Sequence, residues 1–187
     1  MPSPLGGAGR VRGRDSGMDL LKVILRIVHI ASGVYWTGMI WFFALFFLPR
    51  IKEAGPEGSR VMGRITAPPF PQLTSWAAGL VSLTGIWMYW LDSAGFSVAW
   101  IQTPTGIVIA IGGLAGLLAF GEGLMVSRPA ALRLAALGKE AAAAGGQPTP
   151  AQAAEMQQLG GRLERVIYRA AYLLGVAVLA MAAARYL

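Results

Sequence analysis

IVHIASGVYWTGMIWFFALFFL, Ile27 to Leu48, runs without a single Lys, Arg, Asp or Glu. An α-helix rises ~1.5 Å per residue, so about 20 such residues cover the ~30 Å hydrocarbon layer of a bilayer. Three further runs are almost as apolar, broken only by Glu122 in the second of them and Arg169 in the third: Thr74 to Leu91, Gly106 to Val126 and Val166 to Ala184. Their apolar residues are continuous instead of alternating, which excludes the short two-faced strands of a membrane barrel. Hydrophobic residues make up 55% of the 187 and charged ones only 13%, with a mean hydropathy of +0.55. A water-soluble domain of this size needs more polar surface than that. The sequence therefore predicts an all-α fold, an integral membrane four-helix bundle with spans at about 27–48, 74–91, 106–126 and 166–184.

Outward from these spans, residues 1–17 are rich in Gly, Pro and Arg and read as a flexible basic tail, leaving 18–187 as one bundle. Pro49 is expected to end the first helix. Gly55-Pro56 and Pro68-Pro69-Phe70-Pro71 break the chain again, with a short surface helix at Glu57–Ile65 between them. Trp87, Tyr89 and Trp90 form an aromatic belt at the end of the second span. Gly112 and Gly116 are a small-xxx-small pair that lets helices approach closely. Pro129 opens a peripheral helix to Ala144, and Gly145-Gly146-Gln147-Pro148 breaks it. Thr149, Pro150 and Gln152 then read as N-cap, first-turn proline and capping-box partner of a long last helix.

The net charge is +7, but the basic residues stand at span ends, where lipid headgroups hold them, and they imply no nucleic-acid partner. Nine Lys and Arg flank the spans on the side of the 1–2 and 3–4 connections and six on the other. That bias favours those connections inside, both termini outside, and a multi-pass protein of a bacterial inner (cytoplasmic) membrane.

The chain has no cysteine and one histidine. Disulfides, thiolate catalysis and Cys-ligated metals are excluded, and no nucleophile–base pair, phosphate loop or metal cluster stands out, so neither a catalytic nor a metal site is assigned. Three ionisable groups fall inside the spans: His29, Glu122 and Arg169. Glu122 leaves the third span where Arg169 enters the fourth, which predicts a structural ion pair, with Arg165 as the other candidate partner. Lys22, Arg26, His29, Gly33 and Trp36 recur at helical spacing on one face. An imidazole there is a candidate axial ligand for a haem b. Gly33, one turn deeper, leaves room for the macrocycle, and Arg26 can pair a propionate. The competing reading of His29 is a hydrogen bond to a neighbouring helix. The methionines are scattered without a soft-metal spacing.

The stretch LRIVHIASGVYWTGMIWFFALFFLPR, Leu25 to Arg50, resembles the first helix of a group of small bacterial membrane proteins. The group comprises copper-resistance-protein-D-like proteins, J-type protoporphyrinogen oxidases and uncharacterised four-helix relatives. The shared features are the early His29, Trp36-Thr37-Gly38 and the exit Leu48-Pro49-Arg50; MAAARYL, Met181 to Leu187, also resembles the ending of some members. The resemblance implies a four-helix scaffold with His29 as a haem-ligand candidate. The oxidase members also carry a lysine inside a later span, and this chain has none there, which argues against that activity.

The functional expectation is a non-catalytic membrane subunit that packs against or stabilises a larger, energy-transducing assembly. Its partners would be lipids, other membrane subunits or further copies of itself. The alternative is a haem b-binding redox protein that uses His29. A small transporter ranks last, because the span centres are Gly, Ala, Leu, Trp and Phe, with no polar pathway.

Overall fold

Each apolar run becomes a helix, which pairs its backbone N–H and C=O groups within the segment itself, as hydrocarbon would require. The computed structural model describes residues 8–66 and 69–187, which are all-α with no strand among them. In chain order the helices are α1 (Ala8–Phe42), α2 (Leu48–Glu53), α3 (Gly55–Ile65), α4 (Phe70–Asp92), α5 (Val98–Ile101), α6 (Pro104–Glu122), α7 (Arg128–Ala143) and α8 (Pro150–Ala183). A π-helical turn, Phe43–Phe47, joins α1 to α2, and another, Gly123–Ser127, joins α6 to α7. Three continuous helices are long and apolar enough to cross a membrane: Gly17–Glu53, Pro104–Ala143 and Pro150–Tyr186. The helix over the second expected span, α4, has 23 residues. It is long enough, but its Ser, Thr, Gly, Trp and Tyr content leaves it outside that apolar group.

Two expectations change. The helix α1 begins at Ala8, inside the segment 1–17 assigned to a loose tail, while residues 1–7 lie outside the described residues. Extending an existing helix fixes one residue per hydrogen bond gained, so it continues past its apolar core. Nor does Pro49 end the first helix. It stands in the first turn of α2, directly after a π turn, and Pro129 stands likewise after the second π turn. A proline lacks an N–H and its ring presses on the carbonyl four residues back. The wider π turn relieves that crowding and lets the helix run on.

The main packing is pairwise, α1 against α4 and α6 against α8, with lighter contacts between α4 and α6 and between α1 and α8. Where the pairs meet, Trp36, Ala77, Ala78, Ala119, Ala170 and Leu174 form the buried core. The small residues bring the backbones together and the indole fills the space left. Gly112 fits α6 onto α8: a Cβ there would lie 2.9 Å from the Cβ of Ala180 and 3.3 Å from the Ala177 carbonyl oxygen. Its neighbour in the sequence motif, Gly116, has nothing within 4 Å.

At the 3–4 connection, Thr149 caps α8 by accepting from the Gln152 N–H while the Gln152 side chain takes the Thr149 N–H, as the spacing predicts. Arg133 grips Glu155 with two hydrogen bonds of 2.7 and 2.9 Å, tying α7 to α8. The hydrogen bonds from this guanidinium hold the Glu155 carboxyl below its ordinary range. Lys52 pairs with Glu164 on the same side.

Candidate functional site

On the half of the molecule nearer the link 93–103, the two helix pairs do not close on each other. Between them lies a largely apolar cavity of about 740 Å³, open over part of its surface, whose wall takes residues from α1, α4, α6 and α8. That volume lies within the ~300–1,000 Å³ of small-molecule sites. Trp36 and Leu174, both of the buried core, form its inner end.

His29 is the one ionisable group on this wall besides Tyr89. Its Nδ1 lies 2.9 Å from the Val81 carbonyl oxygen and 3.2 Å from Thr84 Oγ1. The Thr84 hydroxyl gives its own proton to the Leu80 carbonyl at 2.6 Å. Both neighbours of Nδ1 are therefore acceptors, so Nδ1 carries the proton and donates it, and Nε2 keeps a lone pair. This is the tautomer and the kind of backbone contact that orient a ligating imidazole. The two readings of His29, ligand and helix-to-helix hydrogen bond, are thus compatible: one ring nitrogen bonds the neighbouring helix and the other stays available.

Gly85 makes the ring position possible. A Cβ at Gly85 would lie 2.9 Å from His29 Cε1 and 3.4 Å from Nδ1. Gly85→Ala should push the imidazole off Val81 and weaken any ligand held through Nε2 by about 10-fold, the lower range for disturbing an outer-shell partner. Gly79, on the same helix, has open space around it, and Gly79→Ala should leave the site intact. Titration of both variants with haem, followed by absorption, checks this.

Gly33 lines the cavity with His29, although it also touches Val81 Cγ2, at 3.3 Å for a Cβ built there. Arg26 is exposed and is not part of the wall. It stands one turn outward on the stripe that continues through Ile30, Gly33 and Thr37. Glu122 and Arg169 lie elsewhere: Arg169 Nη2 is 3.1 Å from Glu122 Oε1, and Glu122 Oε2 is buried without a hydrogen-bond partner. Sequence reasoning missed the α6 and α8 walls, including Met181, the one thioether on them. It also missed Tyr89, which reads as a belt residue but faces the cavity, its ring 6.0 Å from Phe96 and 5.3 Å from Trp100. Among the described residues no group of three His, Cys, Asp or Glu could hold a metal ion, and the ionisable groups on the cavity wall are the His29 imidazole and the Tyr89 phenol.

Comparison with protein-family models, with curated proteins and with solved structures gives no match for this chain.

Proposed function

We propose that the chain is a four-helix, multi-pass protein of a bacterial-type cytoplasmic membrane that holds a haem b with His29 as axial ligand. One observation carries the reading: an imidazole with Nδ1 committed to Val81 and Nε2 free stands on the wall of an apolar cavity of about 740 Å³. The donor set fits an iron macrocycle, which needs one good nitrogen ligand and otherwise flat apolar walls. Glycines at 113 and 116, with open space where a Cβ would stand, leave such a wall low on α6. Arg26, one turn outward on the lining stripe, would receive a propionate. When bound, the haem would supply one-electron chemistry; His29 would hold it through Nε2, and the apolar walls would limit the access of water. Reconstitution in detergent with excess haem tests this. A Soret band saturating near one haem per chain supports the reading, and a colourless protein rejects it.

A second reading, an accessory subunit of a larger membrane assembly, rests on the outer face of α4. Trp76, Leu83, Trp87 and Trp90 share that face and are 72%, 68%, 52% and 48% exposed. Bulky aromatics on one side of a span suit a neighbouring helix as well as lipid. Extraction in mild detergent should then bring partners in fixed ratio, whereas a solitary protein would reject this reading.

A further inference from the structure

A cavity inside a membrane protein can exchange its contents with water or with lipid, and the two routes differ here. Toward the link, the cavity ends in aromatic rings. Ala94, Gly95 and Phe96 all take left-handed backbone angles, φ 50°, 83° and 64°. A bulky L-residue rarely adopts that conformation. The wholly buried Ser93 holds it by accepting the Phe96 N–H at 2.9 Å. The turn so formed puts Phe96 on the cavity wall beside Tyr89, which in turn packs on Trp100. At the same end the Lys22–Asp92 ion pair, 3.0 Å, ties α1 to α4. The end toward the link thus carries the rings of Phe96, half exposed, and Tyr89, with the Lys22–Asp92 pair beside them.

The side between α1 and α8 is built differently. These helices are fastened at Trp41, whose indole N–H donates to the Ala171 carbonyl at 2.9 Å and whose ring lies over Gly175. One and two turns nearer the link, the wall is made by Gly38 and Val34 of α1 and Val178 of α8. Val34 is 69% exposed and Val178 44% exposed. A Cβ at Gly38 would meet nothing within 4 Å. No hydrogen bond or ion pair crosses this edge among the described residues, and Val34 and Gly38 fall within the uncharged run 27–48.

We propose that the cavity exchanges with the bilayer through a side opening between α1 and α8, bounded by Val34, Gly38 and Val178 and floored by the Trp41–Ala171 bond, with the Phe96 and Tyr89 rings hindering entry from the water-facing end. The ligand favoured by such a route is a molecule that dissolves in lipid. This rests on reading the cavity as a ligand site, but its test needs no haem.

The chain has no cysteine, so one introduced thiol reports without background. Ala177→Cys places it on the cavity wall; Leu83→Cys and Gly145→Cys serve as lipid-facing and water-facing references. Haem-free protein in nanodiscs, with both faces open to solution, is treated with a lipid-soluble maleimide or a permanently charged methanethiosulfonate. Each rate at Ala177→Cys is divided by that reagent's rate at its own reference. The apolar reagent should lead by at least about 10-fold, since a charge is strongly penalised in hydrocarbon. Adding Gly38→Leu should slow apolar labelling at Ala177→Cys and leave Leu83→Cys unchanged; Val178→Trp serves as an independent plug should Gly38→Leu fail to fold. Adding Phe96→Gly, which tolerates the left-handed turn, should admit the charged reagent. Parity of the two reagents with Phe96 intact, no effect of either plug, or no labelling by either reagent would overturn the proposal. If the labelling pattern holds while haem gives no Soret band, the haem reading fails alone; a Soret band with the wrong labelling pattern removes only the side opening.

Discussion

His29→Gly should strip the protein of haem. The variant deletes the only imidazole in the chain, and no other lining side chain offers a nitrogen of comparable basicity. The affinity should fall by more than about 100-fold, the upper range for losing a mere outer-shell partner of a ligand. The fold should survive, because the Val81 carbonyl and Thr84 hydroxyl are also engaged in helical hydrogen bonds, and one lost side-chain bond is worth about 1 kcal/mol. The deletion also leaves a space of imidazole shape beside Gly85. Free imidazole in millimolar amounts should therefore restore the Soret band to His29→Gly, as it would not if the mutation had merely unfolded the bundle. Absorption spectra with and without imidazole, beside circular dichroism, decide the matter. A haem band unchanged in His29→Gly would remove His29 as the ligand.

Gly112→Val and Gly116→Val should fail in opposite ways, although the residues are one helical turn apart in one motif. At Gly112 the added atoms meet the Ala180 Cβ at 2.9 Å and the Ala177 backbone oxygen at 3.3 Å. Neither can swing aside, so α6 and α8 must separate. Overpacking of this kind costs about 1–3 kcal/mol, which for a chain of this length lowers the melting temperature by roughly 2–4 °C per kcal/mol. At Gly116 the added atoms enter the cavity, so thermal stability should hold while haem capacity falls. Thermal unfolding in detergent and haem titration, run on both variants, separate the two roles. Equal losses of stability would mean that Gly116 also lies in a helix contact.

Much of this was legible from residues alone. The apolar runs announced the long helices, since hydrocarbon dictates length and composition together. The Thr149–Gln152 box was legible because capping is decided within four residues. The spacing of His29 and Gly33 placed both on one face, and both do line the cavity. What the sequence hid was relational. Nothing near His29 in the chain names Val81 as its partner, 52 residues away, and that contact depends on how α1 meets α4. Nor can a run of small residues say which of its glycines touches a helix and which faces a void; Gly112 and Gly116 look alike until α8 is in place. Pro49 misled for a local reason. A proline normally ends a helix, and the π turn that absorbs it has no clear sequence mark.

The last helix carries a practical consequence. At 34 residues, α8 is roughly 50 Å long, about 20 Å more than a bilayer core can cover. The N-terminal part of α8 has α7 laid along it, fastened by the Arg133–Glu155 grip and by the fully buried Leu137, and would stand clear of the bilayer core. Small membrane proteins resist single-particle imaging because a micelle hides every landmark by which particles are aligned. Here the turn at Gly145–Gly146, with φ of 102° and 92°, offers a splice point for a folded soluble module joined helix to helix. Such a fusion would give a 19.7 kDa chain a rigid fiducial mark on the side of the molecule away from the cavity.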